Sequence, residues 1–219
     1  MVKASAPGKC ILFGEHAVVY GQPALACSID QRMIIEIESE KTFNAWRVDG
    51  RTLDAKKHPH IEYIRTRLPP HDGQPMHIRI RGTIPKASGL GSSAALSVAL
   101  CGALQQIRNE AIDPVHASVL SHLAEAEAQG GRASPMDTAT SSLGGFVVLS
   151  DAIEESLDYI ETRTMDVNGE TRQWHLHTFN AQIPEGVALV VGNTGVRGST
   201  STMVNQVAQL IEKSPKRRV

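Results

Sequence analysis

The stretch "PKASGLGSSAALSVAL", Pro85–Leu100, joins a glycine-rich loop to an apolar segment. Leu96, Leu100 and Leu104 recur at helical spacing, and alanine and valine fill the faces between them. A helix with apolar residues on every side is usually buried nearly all round. Either of the two serines after Gly91 is a residue type that caps a helix N-terminus. The stretch therefore predicts a loop that runs into the central buried helix of the fold.

The same loop has the composition of an anion site. Gly89 and Gly91 allow a tight backbone whose N–H groups point one way, and the helix N-terminus adds partial positive charge. The lysine of a P-loop is missing, so a polyphosphate would need a cation from elsewhere. Ser93 can offer its hydroxyl to Mg²⁺, as the Ser or Thr of a P-loop does. The alternative, a plain loop-to-helix junction with a serine cap, has equal weight on this motif alone.

Composition excludes several classes of protein. The 219 residues are 41% hydrophobic and 21% charged, with a net charge of −1, which gives no reason to expect a nucleic-acid or membrane partner. The cysteines Cys10, Cys27 and Cys101 are odd in number and match no metal spacing. We expect them to be core residues in a reducing compartment, and because no apolar leader is evident we expect a cytoplasmic protein.

The order of elements favours an α+β fold over a strictly alternating parallel sheet. Asp113 is a candidate N-cap for a second helix that Gly130 ends, and Asn168-Gly169 is a hairpin-turn signal. An amphipathic helix is expected from Ser199. The expected strands are Lys9–Phe13, Met33–Glu38, His77–Gly82, Phe146–Leu149 and a buried Val187–Val191.

Two glutamates on the second helix are candidate metal ligands. Glu127 shares a face with Leu120 and Leu123, whereas Glu125 lies on the polar side. A carboxylate on an apolar face is costly unless it is paired or binds a metal, which favours Glu127. A boundary residue that reaches out to water is the alternative.

Three more polar positions admit a functional and a structural interpretation. Asp137 is either a general base near the glycine loop or the partner of Ser134 in an S-x-x-D helix cap. Lys9 either supplies the missing cation from the first strand or is a surface lysine. His16, after Glu15 in the turn that follows, either binds a substrate group or is a turn histidine.

Four motifs in order carry a resemblance to the GHMP kinases: "APGKCILFGEHAVVYG", "PKASGLGSSAA", "GRASPMDTATSSLGG" and "NTGVRGST". The "GEHAVVYG" turn, Gly14–Gly21, resembles the mevalonate kinase branch of that family, in its archaeal form. The resemblance implies a GHMP-kinase-like N-terminal domain at residues 1–183, with a mixed sheet and helices in the manner of ribosomal protein S5 domain 2. It implies that residues 184–219 are the truncated beginning of a second α/β domain, with the family's third, glycine-rich motif absent.

The resemblance also implies roles for individual residues. Asp137 would be the catalytic base, with Lys9 beside it and the reacting hydroxyl. Ser93 and Glu127 would hold Mg²⁺. The loop would wrap the phosphates of ATP through Lys86, Ala87, Ser88, Gly89, Leu90, Gly91, Ser92, Ser93 and Ala94. Glu15, His16 and Thr200 would lie at the substrate site.

The implied reaction is ATP-dependent phosphorylation of the 5-hydroxyl of mevalonate, a step of isoprenoid precursor synthesis. The resemblance also implies a homodimer. One alternative is another family kinase such as phosphomevalonate kinase, for which Arg132 and Arg197 could bind the extra phosphate. A second is a truncated remnant that binds nucleotide without turnover. The stretch between the glutamate and the base is one residue shorter than in archaeal relatives, which leaves Glu125 as a fallback for Glu127.

Overall fold

The computed structural model describes residues 1–15, 22–39, 42–85, 88–131, 133–167, 170–192, 209–210 and 213. Within them an eight-stranded sheet carries four helices. The strands are β1 Val2–Phe13, β2 Ala24–Ser39, β3 Arg47–Val48, β4 Arg51–Thr52, β5 Met76–Gly82, β6 Phe146–Ser150, β7 Asp158–Val167 and β8 Glu170–Phe179. The helices are α1 Pro59–Arg67, α2 Ser92–Ile107, α3 Pro114–Ala128 and α4 Met136–Leu143. The α+β prediction is confirmed.

The long strand β2 organises the sheet. It pairs antiparallel with β1 along one edge; along the other, Ala24–Cys27 pairs with β6 and Met33–Ser39 pairs with β5. The sheet continues to β3 and β4 beyond β5, and to β8 and β7 beyond β6. Because β3 runs parallel to β5 while the other pairs are antiparallel, the sheet is mixed. One strand thus joins the two halves of the domain.

The helices cover one face of this sheet. The apolar helix α2 packs on β1 and β2, and its Leu100 and Leu104 are buried with Ile35 and Ile37 of β2. Burial of side chains of this size is worth roughly 1.5–3 kcal/mol each. A second apolar cluster joins α4 to β6 through Met136 and Val147 and their neighbours. The first cluster thus packs α1, α2 and α3 against β1, β2 and β5, and the second packs α4 against β2, β6 and β8.

Some helix and strand boundaries differ from the sequence expectations. The Asp113 cap is confirmed, since its Oδ1 accepts from the His116 N–H at 3.0 Å. The serine cap of α2 is wrong: Gly91 takes the N-cap position with a φ of +71° and makes no side-chain cap bond. The buried strand at Val187–Val191 is also wrong, because this segment is irregular and Val190 is 87% exposed.

Other expectations fall wholly or partly outside the described residues. The hairpin at Asn168-Gly169 is confirmed by the β7–β8 pairing, although these two residues themselves are not described. Most of the helix expected from Ser199 also lies outside them. The domain boundary after residue 183 stays a prediction. Among the described helices, none is both long and apolar enough to cross a membrane.

Candidate active site

An ion pair between strand β1 and helix α4 lies at the centre of the site. Lys9 Nζ of β1 is 2.9 Å from Asp137 Oδ1 at the start of α4. Lys9 is only 4% exposed, so its ammonium group is held inside the protein, whereas 40% of the Asp137 side chain is exposed. The pair therefore presents a positioned carboxylate to solvent with a buried cation behind it. The surface-lysine alternative for Lys9 is therefore wrong, and its catalytic role stays a prediction.

The Asp137 side chain is free for this pair because it caps nothing. Helix α4 begins at Met136, its N-cap residue is Pro135, and no side chain caps it. The expected S-x-x-D cap by Ser134 is therefore wrong. Partial desolvation raises the pKa of the Asp137 carboxyl above its ordinary value and outweighs the attraction of Lys9. The negative charges of Glu125 and Glu15 act in the same direction, so all three carboxyl groups share one electrostatic neighbourhood.

A break in the β1–β2 ladder joins Lys9 to the glycine loop. The register shifts between Pro7 and Lys9, and the Lys9 N–H donates instead to the Leu90 carbonyl at 3.0 Å. Such a bulge re-aims a side chain and releases a backbone group from the ladder. The Lys9 backbone thus binds the loop, and the Lys9 side chain pairs with Asp137.

The loop's two glycines do different work. A Cβ on Gly91 would lie 2.7 Å from Lys9 Cγ, so the lysine stem fills the space where a side chain would be. A Cβ on Gly89 would meet nothing within 4 Å, which leaves an open backbone surface, and its φ of +76° favours glycine. The loop is closed on the Lys9 side and open on the Gly89 side, as a backbone cradle for an anion requires. Lys86 and Ala87 lie outside the described residues.

Glu125, not Glu127, is the buried glutamate of α3. Glu125 is 6% exposed, whereas Glu127 and Leu123 face solvent. The predicted burial of Glu127 is wrong, because α3 packs against α1, α2 and α4 with its polar side inward. The preference for Glu127 as metal ligand loses its basis, and Glu125, the fallback, becomes the candidate.

Three polar side chains surround the Glu125 carboxylate. Gln129 Nε2 donates to its Oε2 at 2.7 Å, His60 Nε2 of α1 lies 3.3 Å from the same oxygen, and Ser93 hydrogen-bonds to the group. Burial alone would raise the pKa of Glu125, but the contact with His60 and these two hydrogen bonds leave it below its ordinary value. Glu125 is therefore an anion at neutral pH.

The residues present fit a magnesium ion. Glu125 Oε1 is buried without a hydrogen-bond partner, and the Ser93 hydroxyl lies against the same carboxylate. A carboxylate and a hydroxyl are hard oxygen donors, and Mg²⁺ takes one or two carboxylates together with substrate phosphates. The described residues gather no group of three His, Cys, Asp or Glu side chains that would form a cage by themselves. The donor set thus suits a metal that arrives with a nucleotide.

The structure places only part of the expected substrate site. Glu15 is exposed at the end of β1 and close enough to Asp137 to affect its titration. His16 and Thr200 lie outside the described residues, as do Arg132 and Arg197. Sequence reasoning missed His60 and Gln129. The i, i+4 spacing of Glu125 and Gln129 was a usable signal, but nothing in the sequence connected His60 with a helix more than 50 residues away.

Comparison with known proteins shows what this chain is similar to. Residues 57–145 match the GHMP kinases N terminal domain. The mevalonate kinase of Methanothermobacter thermautotrophicus is 39% identical over 177 residues, which are 77% of this chain and 58% of that protein. The mevalonate kinase of Thermococcus sibiricus is 30% identical over 237 residues, which are 98% of this chain and 63% of that protein.

A solved structure agrees with the sequence relatives. The crystal structure of the Methanococcus jannaschii mevalonate kinase matches with a TM-score of 0.60 and 27% identity, over 68% of this chain and 53% of that one. The chain spans about 60% of the length of the curated relatives it matches. The predicted resemblance to GHMP kinases of the mevalonate kinase type is confirmed.

Proposed function

We propose that this chain, whose residues 57–145 match a GHMP kinase N-terminal domain, carries the catalytic groups of an ATP-dependent kinase for the 5-hydroxyl of mevalonate. The observation that carries the proposal is the 2.9 Å pair of Lys9 and Asp137 beside an open glycine loop and a buried glutamate. Phosphoryl transfer needs positioning and charge neutralisation more than covalent chemistry, and these groups supply both.

Asp137 acts as the general base. Its carboxylate is partly exposed, so it can accept the proton of a substrate hydroxyl that lies within hydrogen-bond reach. Its raised pKa brings it closer to the working pH and makes it a better proton acceptor than an ordinary aspartate. Lys9, held 2.9 Å away, stabilises the negative charge that develops on the hydroxyl oxygen.

The loop and the α3 carboxylate hold the nucleotide. Backbone N–H groups of Gly89–Ala94 and the N-terminus of α2 bind phosphate oxygens. Ser93 and Glu125 would hold Mg²⁺, which when bound neutralises phosphate charge. Glu15 would contact the substrate together with His16 and Thr200. We also propose a cytoplasmic location and a homodimer.

The test is ADP release by the purified protein with mevalonate, phosphomevalonate and galactose as acceptors. Of the three acceptors, we expect only mevalonate to be phosphorylated. Asp137→Asn should lower kcat on the order of 10²–10⁴-fold, because the base is removed. The matched control is Asp158→Asn, which changes an exposed aspartate on β7 and leaves kcat unchanged.

Three outcomes would contradict the proposal. Turnover with phosphomevalonate in preference to mevalonate would favour the phosphomevalonate kinase alternative. Nucleotide binding without any turnover would favour a remnant. Turnover that survives loss of both Lys9 and Asp137 would show that the reaction takes place on other residues.

A further inference from the structure

Two cysteines lie directly opposite each other on neighbouring strands, one residue along the chain from Lys9 and on the other face of the sheet. Cys10 of β1 and Cys27 of β2 are register partners. Side chains of directly opposite residues in an antiparallel pair leave the same face of the sheet, with Cβ atoms about 4.5–5.5 Å apart. Cys10 is also the next residue after Lys9, so a covalent change at the two cysteines takes place on the strand that carries Lys9.

The hydrogen bonds around the pair define its geometry further. In the adjacent pair, Lys9 donates its N–H to Leu90 and Ser28 donates its N–H to Gly145, so these two do not bond to each other through their N–H groups. Bonded and non-bonded pairs alternate along an antiparallel ladder, which makes Cys10 and Cys27 a hydrogen-bonded pair with Cα atoms about 5.5 Å apart. Disulfides span Cα distances of roughly 4.4–6.8 Å. A regular ladder pair of this kind falls within that range of Cα distances.

The two thiols differ in access. Both are free; Cys10 is partly exposed, whereas Cys27 is 6% exposed. Burial raises the pKa of the Cys27 thiol and the neighbouring Cys10 raises it further, which places the two sulfur atoms within electrostatic reach of each other. A reagent would meet Cys10 first and find Cys27 beside it.

We propose that Cys10 and Cys27 form a dithiol site that reacts with hydroperoxides and with trivalent arsenicals. With hydrogen peroxide, the Cys10 sulfur attacks one oxygen and becomes a sulfenic acid while water leaves. The Cys27 sulfur then displaces hydroxide from that sulfenic acid, which gives the disulfide and a second water. With an aryl arsenoxide, both sulfurs bind arsenic, and the oxygen leaves as water with the two thiol protons.

Bridging the pair changes the setting of Lys9. The disulfide draws two Cβ atoms closer than a ladder pair normally holds them, so β1 must adjust at the position where Lys9 is anchored to Leu90 and Gly91. A shift of about 1 Å in a catalytic group can cost on the order of 10²-fold in rate. We therefore expect at least about a tenfold fall in kcat on bridging. This consequence rests on the proposed kinase function, whereas the dithiol chemistry does not.

The test uses the native protein in three thiol variants: Cys10→Ser, Cys27→Ser and, as the matched control, Cys101→Ala. Cys101 lies in α2 with no exposed surface, and burial raises the pKa of its thiol to about 12. Phenylarsine oxide should bind the wild type and C101A at one equivalent, seen by intact mass, and bind neither C10S nor C27S tightly. Hydrogen peroxide should give a Cys10–Cys27 disulfide peptide after digestion, reversed by dithiothreitol.

The outcomes separate the two parts of the inference. No stoichiometric arsenical binding to the wild type, or binding that survives in C10S, would overturn the dithiol site whatever the protein catalyses. A disulfide that forms fully while mevalonate turnover stays unchanged would overturn its link to Lys9. Turnover absent from the reduced wild type as well would contradict the proposed function alone, with the mass result still deciding the dithiol.

Discussion

Helix α3 carries two buried polar clusters that look alike and serve different ends. Toward its C-terminus, Glu125 meets Ser93, His60 and Gln129, and Glu125 Oε1 is left without a partner. One turn or two earlier, Ser118 accepts hydrogen bonds from Arg163 of β7, whose charge also reaches His122. Arg163 Nε and His122 Nδ1 are likewise without hydrogen-bond partners. The clusters differ in what lies beside them. Only the first opens onto the glycine loop.

The difference teaches how to interpret an unpartnered buried atom. In the first cluster, the unpartnered carboxylate oxygen Oε1 of Glu125 lies next to an exposed serine, where an incoming cation can satisfy it. At the second cluster, Arg163 Nε and His122 Nδ1 are enclosed by Trp174 and the sheet. We therefore expect changes in the first cluster to affect turnover and changes in the second to affect stability.

Among changes in the two clusters, the largest effect should come from Glu125→Gln, compared with Glu127→Gln on the same helix. Removing the buried charge should lower kcat/KM for the magnesium nucleotide on the order of 10²–10³-fold, since a preorganised electrostatic contact is lost. E127Q changes an exposed carboxylate and should behave as the wild type. Steady-state kinetics over a range of Mg²⁺ concentrations measures both. A larger loss in E127Q would restore Glu127 as the metal ligand.

Arg163→Met should break the second cluster without touching the first. Arg163 is 6% exposed, pairs with Glu161 and donates to the Ser118 carbonyl and hydroxyl. Removing one partner of a buried ion pair lowers the free energy of unfolding by about 3 kcal/mol. The loss should be somewhat smaller here, because Glu161 keeps some access to water.

Urea unfolding measures this loss, with the exposed Arg51→Met on β4 as the control. The KM for nucleotide should not change in either variant. A kinetic defect in R163M at full folding would mean that the two clusters are coupled through α3.

The stability of the protein should fall in acid through His122. Burial lowers the pKa of this histidine to about 4, below its ordinary value of about 6.5. Between these two pKa values the unfolded chain binds a proton at His122 and the folded protein does not. The contribution of His122 to the free energy of unfolding, which is present above pH 6.5, is therefore lost as the pH falls toward 4. At pH 5 the loss is about 2 kcal/mol.

Urea unfolding at pH 7 and pH 5 checks this, because His122→Gln should flatten the difference between the two pH values. The matched change His71→Gln, at an exposed histidine, should keep it. An unchanged difference in H122Q would mean that other groups, Glu125 among them, account for the acid sensitivity.

The smallest effect should come from His60→Ala, which tests how Glu125 is positioned. Its imidazole lies 3.3 Å from Oε2 of Glu125, so its loss should leave the metal ligand present but less well oriented. Removal of a residue that hydrogen-bonds to a metal ligand typically lowers metal affinity or activity 10–100-fold. At this partly exposed position we expect the KM for the magnesium nucleotide to rise about tenfold. The kcat should change less than the KM.

Partial recovery in His60→Gln would support a positioning role, because glutamine can still donate to the carboxylate. A fall in kcat at unchanged KM, without recovery in H60Q, would place His60 in a different role.

Local patterns predicted much of the fold. The alternation in β2 and β5, the apolar helix α2 and the Asp113 cap follow from residue periodicity and local hydrogen bonding, which need no knowledge of distant partners. Helix α1 was missed, and its position decides which side of α3 faces inward. The sequence separated Glu125 from Glu127 correctly but assigned the wrong one to the interior, because that choice depends on tertiary packing and not on helical spacing.

The same limit explains the rest of the site. Lys9 and Asp137 were identified by motif order, but their pairing depends on a β-bulge and on an uncapped helix start. Neither feature has a local sequence signal. The expected strand at Val187–Val191 shows the opposite failure, since an apolar run favours a strand only where a neighbouring strand can pair with it.

The contact between Gly91 and the Lys9 stem makes two positions that are distant in the sequence depend on each other in evolution. Any side chain at 91 collides with the lysine, and the φ of +71° already disfavours it. A shorter residue at position 9 would relieve the collision but would leave Asp137 without its cation. A change at one of these two positions therefore cannot be made harmless by a change at the other alone. We expect the strand and the loop to change together as a whole or to remain as they are.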